Sequence, residues 1–278
     1  MENKKIFNKN NLIKDALDIR KTILEIAYKS GGGQHLGGGM SMVELMTYIY
    51  GYKLNNSIKN TRCEKRDRFI LSKGHGVLGF YPVLNKYGFI SNKILSTYKT
   101  KGSELISHPI KNLDYAIESS NGSLGHGLSY GLGVALGLRE SKIKSKVYVL
   151  IGDGECNEGS VWEAAMSGAE LRLNNLTCIV DNNHFQSDGA TNEIINCEKL
   201  PQKWKAFGWH VICIDGHNFD EIHNAFSLVT DEPKLIIAST VKGKGIDFME
   251  NNNLWHHGRL TESLYKDAVK CLVNNYNL

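Results

Sequence analysis

Val147-Tyr-Val-Leu-Ile-Gly-Asp-Gly154 is the stretch of sequence that decides the fold. Its apolar residues form a short run without strict alternation, which is typical of a strand buried on both faces of a parallel sheet. Runs of the same kind predict strands at residues 69–71, 147–151, 176–181, 211–214 and 235–239. Helical patterns alternate with them at residues 11–29, 42–52, 127–139, 158–172, 219–229 and 261–273. The alternation predicts an α/β fold, a three-layer α/β/α sandwich around a mostly parallel sheet.

Composition limits what the chain is. Its 278 residues are 41% hydrophobic and 22% charged, so we expect a single domain over residues 1–278, with residues 1–10 as a flexible arm. The 33 basic and 29 acidic residues are scattered, which argues against a nucleic-acid partner. The amino-terminal residues show neither a signal-peptide pattern nor a membrane anchor, so no membrane partner is expected. Six widely spaced cysteines without a C-x-x-C pair predict reduced thiols and a cytoplasmic protein.

The turn after the run at residues 147–151 places a carboxylate where ligands gather in open parallel sheets. Asp153 is flanked by glycines, and the backbone of Gly154 can approach a phosphate. Asn183 follows Asp153 by 30 residues, which suits one strand-helix-strand crossover, and the carbonyl of Phe185 offers a third oxygen. Three such oxygens suit Mg²⁺ or Ca²⁺, and Mg²⁺ usually adds substrate phosphates. A diphosphate cofactor is therefore predicted, although Asp153 and Asn183 taken singly also suit simple capping of a helix and a turn.

These residues resemble a known family. Gly152-Asp-Gly154 together with Asn182-Asn183 resembles the signature of thiamine-diphosphate enzymes. The longer run Gly152-Asp-Gly-Glu-Cys-Asn-Glu-Gly-Ser-Val-Trp-Glu-Ala-Ala165 is similar to the amino-terminal component of split transketolases, and the similarity spans nearly the whole chain. The resemblance implies the thiamine-diphosphate-binding fold, with thiamine diphosphate and Mg²⁺ (or Ca²⁺) as cofactors and Asp153, Asn183 and Phe185 as metal ligands.

Four histidine settings match the transketolase pattern. The resemblance implies that His75 and His256 contact the cofactor diphosphate, and that His35 and His108 line the pocket and bind hydroxyls of the donor sugar. Histidine suits such work because its near-neutral pKa lets it donate, accept or pass protons. Whether His256 or His257 is the equivalent residue stays open.

The resemblance also assigns residues around the cofactor. Gly122 and Leu124 are expected to contact it through their backbone, and Gly154 and Glu155 belong to the cofactor-binding turn. His126 departs from the pattern, since the family usually has glutamine there.

Two further residues extend the comparison. Glu158 matches a glutamate of a carboxylate network that crosses the subunit interface, although a glutamate in the first turn of a helix is also ordinary. Ser187 replaces a usual apolar residue beside the thiazolium. Both Ser187 and the departure at His126 fit an unusual substrate or simple drift.

A full transketolase continues with a pyrimidine-binding domain, which supplies the glutamate that activates the cofactor and most of the sugar-phosphate-binding side chains. The resemblance therefore implies that this chain acts with a carboxyl-terminal partner subunit, most simply as an α2β2 assembly. The activity it implies is transfer of a two-carbon ketol unit from a ketose (phosphate) to an aldose (phosphate).

Three alternatives remain. The first is another thiamine-diphosphate enzyme, either similar to deoxyxylulose-phosphate synthase or an acyloin or branched-sugar synthase. The second is a noncatalytic regulatory subunit, which the retained acidic, amide and histidine residues argue against. The third is a dinucleotide-binding protein, which is disfavoured because no G-x-G-x-x-G motif opens a helix after the first strand.

Overall fold

The structure is a computed structural model that describes residues 6–56, 58–196 and 199–276. Within these residues the strands, in chain order, are β1 Gly33–Gln34, β2 Arg68–Leu71, β3 Val147–Gly152, β4 Leu176–Asn182, β5 His210–Asp215, β6 Lys234–Ser239 and β7 Gly258–Arg259. Strands β2 to β6 form a parallel sheet in the order β2-β3-β4-β6-β5. All five predicted strands are confirmed. The antiparallel pair of β1 and β7 was not predicted, because each strand has only two residues.

Helices surround the sheet. In chain order the described α-helices are α1 Lys9–Ser30, α2 Leu36–Met40, α3 Val43–Tyr48, α4 Val77–Lys86, α5 Asn92–Leu95, α6 His126–Glu140, α7 Gly159–Glu170, α8 Thr191–Ile194, α9 Leu200–Ala206, α10 Phe219–Ser227 and α11 Glu262–Asn275. The six predicted helices are confirmed as α1, α3, α6, α7, α10 and α11, although α3 passes into a π-helical turn at Ile49–Lys53. The expectation of a flexible arm over residues 1–10 is wrong for Lys9 and Asn10, which belong to α1. Residues 1–5 lie outside the described part.

Two apolar cores cover the two faces of the sheet. Alternate residues of β3 point to opposite sides, so that Tyr148 and Leu150 join one core while Val147, Val149 and Ile151 join the other. The first core also receives α1, α3, α4 and α10, and the second receives α6, α7 and α9. The predicted three-layer sandwich is confirmed.

The edge strand β5 departs from the prediction of burial on both faces. Cys213 of this strand is exposed and Ile212 is only partly buried. The prediction is wrong here because β5 ends the sheet, beyond β6. Central strands β3 and β4, in contrast, are buried almost throughout.

Register decides which residues meet at the carboxyl edge of the sheet. Gly152 of β3 pairs with Asp181 of β4, and Asn182 pairs with Ser239 of β6. Because the strands are parallel, the turns that follow β3, β4 and β6 all open at the same edge.

Two further features concern the cysteines and the length of the helices. The five cysteines in the described part are thiols, and Cys197 lies outside it. None of the described helices has the length and apolar character that crossing a membrane requires.

Candidate active site

The turn after β3 carries a buried carboxylate. Asp153 Oδ1 accepts the backbone N–H of Gly154 at 2.8 Å, and Oδ2 accepts the hydroxyl of Thr191 at 3.0 Å. Burial raises the pKa of Asp153, with a contribution from the charge of Asp181, while the two donors act in the opposite direction. Each oxygen of an ionised carboxylate accepts more than one hydrogen bond, so this group has capacity left for a cation.

Asn183 lies at the same edge, one residue beyond β4. Its side chain is buried, with Nδ2 at 3.4 Å from Asp181 Oδ2, and its Oδ1 accepts the N–H of Phe185 at 3.2 Å. Phe185 also forms an antiparallel bridge with Ala190, so the segment after β4 is folded back on itself. The chain therefore brings Asp153 and Asn183 to one edge with hard oxygen atoms, which fits a magnesium ion; their role as ligands stays a prediction.

Asp181 is the centre of a buried polar network that the sequence analysis missed. Its Oδ2 binds Lys73 Nζ at 2.5 Å and Ser41 Oγ at 2.6 Å, and its Oδ1 binds the hydroxyl of Thr240. Burial opposes ionisation, but the charge of Lys73 and these hydrogen bonds outweigh it and lower the pKa of Asp181. Lys73 also donates to the carbonyl of Gly38 at 3.0 Å. A buried ion pair thus supports the carboxyl edge.

Lys242, also missed from the sequence, is a second buried lysine. Its Nζ contacts the carbonyl of Gln186 at 3.2 Å, Asn253 Oδ1 at 2.9 Å and His256 Nδ1 at 3.0 Å. In the described part of the chain, no carboxylate oxygen lies within 4.0 Å of Nζ. Burial, followed by the charge of Lys73, lowers the pKa of Lys242 to about 8. An ammonium buried without a carboxylate is stabilised when an anion binds beside it, so Lys242 fits a diphosphate.

Five histidines meet next to Lys242, around the ring of His35. The ring centroid of His35 lies 5.4 Å from that of His75, 6.2 Å from His108, 5.5 Å from His256 and 4.8 Å from His257. Burial, together with neighbouring positive groups, lowers the pKa of His35 to about 4 and that of His256 to about 3. Burial, followed by the charge of Lys73, also holds the pKa of His75 well below its usual value. These three rings are therefore neutral at pH 7, where each has one N–H donor and one nitrogen acceptor.

The antiparallel pair of β1 and β7 brings His256 and His257, which precede β7, next to His35, which follows β1. Gly33 pairs with Arg259 and carries the chain into His35. The exposed ring of His257 rests on Gly33, where an added Cβ would lie 2.2 Å from its Cε1. Both His256 and His257 reach His35, but only His256 also contacts Lys242 and approaches His75, with ring centroids 5.5 Å apart.

Glu155 lies in the turn after β3, next to Gly154. Its buried carboxylate accepts the hydroxyl of Ser72, the N–H of Gly125 at 2.8 Å and the N–H of Gly152 at 3.0 Å. Burial raises the pKa of Glu155 in spite of these donors. The side chain therefore holds the loop at residues 122–125 against the end of β3, and a contact of Glu155 with the cofactor stays a prediction.

The loop at residues 122–125, which leads into α6, lies beside the histidines. A Cβ added to Gly122 would be 3.8 Å from His108 Cδ2, so Gly122 approaches that ring closely. The carbonyl of Leu124 is 3.0 Å from Nδ1 of His126, whose side chain is exposed. The predicted contacts of Gly122 and Leu124 with a cofactor are compatible with this placement and stay predictions.

Glu158 and Ser187 both lie at exposed positions. Glu158 is the N-cap of α7, one residue before the helix begins, and its side chain makes no capping hydrogen bond. Ser187 accepts the side-chain amide of Asn253 through its carbonyl, at 2.9 Å. Asn253 in turn contacts Lys242, so the segment with Ser187 and the segment with the histidine pair are tied together.

The family is given by comparison with known proteins. Residues 14–276 match the transketolase thiamine diphosphate binding domain. The chain belongs to the transketolase family. Among solved structures, the transketolase of Campylobacter jejuni superposes on this transketolase-family chain with a TM-score of 0.88 and 26% identity, over 95% of this chain and 43% of that one. The predicted thiamine-diphosphate-binding fold is confirmed.

Similar proteins include separate transketolase subunits. One subunit of the apulose-4-phosphate transketolase of Phocaeicola vulgatus is 40% identical over 254 residues, which are 90% of each chain. The SqwG subunit of the 6-deoxy-6-sulfo-D-fructose transketolase of a Clostridium species is also 40% identical, over 90% of this chain and 92% of that one. Human transketolase is 34% identical over only 39% of its length. This transketolase-family chain therefore has the extent of the subunits and about two fifths of the length of full transketolases.

Proposed function

We propose that this chain is the amino-terminal subunit of a split transketolase, active together with a carboxyl-terminal partner subunit. Its reaction is transfer of a two-carbon ketol unit from a ketose (phosphate) to an aldose (phosphate). One observation carries the proposal: a cluster of five histidines stands beside the buried Lys242 at the carboxyl edge of the sheet. The 40% identity to two transketolase subunits supports it.

The residues of this edge fit thiamine diphosphate bound with a divalent ion. When bound, thiamine diphosphate supplies the nucleophilic carbon that attacks the carbonyl of the donor sugar. Lys242, His75 and His256 are suited to hold the diphosphate, because one is a buried cation and the others are neutral rings with hydrogen-bonding nitrogens. The carboxylate of Asp153 and the amide oxygen of Asn183, joined by the carbonyl of Phe185, are suited to Mg²⁺.

The remaining histidines fit the sugar. His35 is neutral near pH 7 and half-buried, so it can donate one hydrogen bond and accept another from hydroxyl groups of a ketose. His108 stands 6.2 Å from His35, ring to ring, on a separate loop. Two rings on different segments can fix both the position and the rotation of a polyhydroxy chain, and they can hold the protons that move when its carbon–carbon bond is cleaved.

The partner dependence has its own support. The relatives at 40% identity carry names that designate subunits, and this chain covers nine tenths of their length. We propose an α2β2 assembly in which Glu158, exposed at the start of α7, joins a carboxylate network across the interface. The sugar is proposed only by class, as a ketose or aldose with or without a phosphate.

Calorimetry of thiamine diphosphate binding tests the proposal. We expect binding that requires Mg²⁺ and that strengthens when a co-expressed carboxyl-terminal component is added. Asp153→Ala should abolish the binding that Mg²⁺ supports. Asp188→Ala, which changes an exposed carboxylate of the neighbouring loop, should leave that binding unchanged. Absence of binding by the unmodified chain with and without the partner would refute the catalytic proposal and leave a regulatory subunit.

A donor screen separates ketol transfer from related chemistry. Ketose phosphates and 2-keto acids are offered to the reconstituted enzyme with a common set of aldose acceptors. A transketolase uses the ketoses, whereas a deoxyxylulose-phosphate-type or acyloin synthase requires the keto acid. Turnover of keto acids alone would replace the proposed reaction with that alternative.

A further inference from the structure

His217 lies behind the segment that carries Lys242, outside the histidine cluster. The backbone N–H of Val241 donates to Nε2 of His217 at 2.9 Å. Nδ1 of the same ring lies 2.9 Å from Oε2 of Glu44. Because Nε2 accepts, its lone pair must be free, and the proton of the neutral ring must therefore be on Nδ1, pointing to Glu44. Both contacts are satisfied by one tautomer of a neutral ring.

Glu44 is itself held by Arg20. The guanidinium Nη1 lies 2.8 Å from Oε1 of Glu44, and both side chains are almost fully buried. Burial disfavours the ionised carboxylate, but the charge of Arg20 and the hydrogen bonds from His217 and Arg20 outweigh it and hold the pKa of Glu44 below its usual value. The acceptor that fixes the tautomer of His217 is thus a carboxylate that stays ionised at any pH near neutrality.

The segment at residues 241–244 is fastened at three points. Val241 is bound by His217, Gly243 donates to the carbonyl of Gly37 at 3.0 Å, and the carbonyl of Lys244 accepts Nε of Arg20 at 3.1 Å. Lys242 therefore extends from a backbone that is fixed on both sides of its Cα. Its side chain also packs closely on α2, since a Cβ on Gly37 would lie 2.9 Å from its Cγ.

We propose that His217 is a positioning residue for Lys242. Its neutral ring, oriented by Glu44 and Arg20, holds the N–H of Val241 and so aims the ammonium of Lys242 at His256 and at the place proposed for the diphosphate. The expected effect on diphosphate affinity rests on the proposed function. The hydrogen bond between His217 and the N–H of Val241 does not depend on it. None of the three network residues needs to touch the substrate or the cofactor.

Substitutions at His217 test the proposal. His217→Gln keeps an acceptor and a donor in one side chain, so it can serve both Val241 and Glu44. His217→Leu removes both functions. The matched control is His223→Leu, which changes a nearby histidine within α10 that contacts Tyr48 and not Val241. Thiamine diphosphate binding with Mg²⁺ is measured by calorimetry, hydrogen exchange of the Val241 amide is measured by NMR, and thermal melting verifies that each variant folds.

We expect His217→Leu to weaken binding about tenfold, as loss of one buried hydrogen bond implies, and to speed exchange at Val241. His217→Gln and His223→Leu should keep both properties of the unmodified chain. Normal binding and slow exchange in His217→Leu would overturn the proposal. If the unmodified chain binds no thiamine diphosphate, the proposed function fails, but exchange at Val241 still decides whether His217 holds this segment.

A measurement on the unmodified chain tests the proposal even if His217→Leu does not fold. The ¹⁵N chemical shifts of His217 distinguish a protonated ring nitrogen from one with a free lone pair. The proposal requires the proton on Nδ1 and a free Nε2. A proton on Nε2 would exclude the bond from Val241 and would overturn the proposal without any variant.

Discussion

Asp181→Asn should strongly destabilise the folded chain, although it replaces only one carboxylate oxygen by an NH₂ group. Lys73 and Asp181 form an ion pair at 2.5 Å with side chains that are 1% and 0% exposed. The substitution keeps the shape of the side chain but leaves the ammonium of Lys73 buried without its counter-charge. Removal of one partner of a buried ion pair typically costs about 3–5 kcal/mol of folding free energy. We expect a loss of that order, although the new amide retains an oxygen for Ser41 or Thr240.

Urea unfolding at pH 7 measures this loss, with Asp18→Asn as the control. Asp18 pairs with Lys86 at 2.6 Å, but its side chain is 54% exposed, and such pairs contribute only about 0–1 kcal/mol. In the background of Lys73→Met, Asp181→Asn should cost much less than alone, since no buried cation is left unpaired. If Asp181→Asn costs no more than Asp18→Asn, the network around Asp181 does not support the carboxyl edge as we infer.

Three other measurements test separate parts of the structure. Gly127→Ala should destabilise the chain by about 1–3 kcal/mol because its Cβ would lie 2.3 Å from Ser72 Oγ, whereas Gly133→Ala in the same helix meets open space and should be neutral or stabilising in thermal melts. The free energy of unfolding should fall as the pH decreases from 6.5 towards 4, because His35 takes up a proton in the unfolded state at a higher pH than in the native state. His35→Asn should reduce this dependence of stability on pH. Thiamine diphosphate affinity should weaken above about pH 8, where Lys242 loses its proton, and a flat profile from pH 7 to 9 would contradict that role.

The strands could be predicted because a strand that is buried on both faces has a short apolar run without alternation in its sequence. Residues 147–151 and 176–181 are apolar runs too short for helices, and both became central strands. Helix α4 was missed for a related reason. It is buried from Val77 to Leu84, so it lacks the polar face that reveals an amphipathic helix, and Pro82 stands inside it. Pattern reasoning detects a helix through the contrast between its faces, which a fully enclosed helix does not have.

The site was partly predictable from local motifs. Asp153 and His75 each stand between two glycines, and His35 lies within the glycine-rich segment at residues 31–39. The structure brings these segments to one edge. Lys73 and Lys242 were missed because lysines are rarely buried, and the partner of Lys73 lies 108 residues further along the chain. Their setting did hold a signal, since a glycine follows each of them. No local sequence pattern, however, predicts an ion pair between residues that are far apart in the chain.

At neutral pH, the positive charge of this site lies on Lys73 and Lys242 and not on the rings of His35 and His256. The pKa of His35 and of His256 lies near 4 and 3, so lowering the pH from 8 to 6 adds almost no charge to those two rings. Asp181 offsets the charge of Lys73, whereas Lys242 has only neutral contacts within hydrogen-bonding distance. The charge of Lys73 is already balanced, so an incoming anion gains most from Lys242. Placing the charge on Lys242 leaves the rings neutral, and a neutral ring keeps both a donor and an acceptor for a sugar. Under the proposed function, Lys242 supplies the charge for the diphosphate and the neutral rings of His75 and His256 add hydrogen bonds to it. The neutral ring of His35 is left for the hydroxyl groups of the sugar.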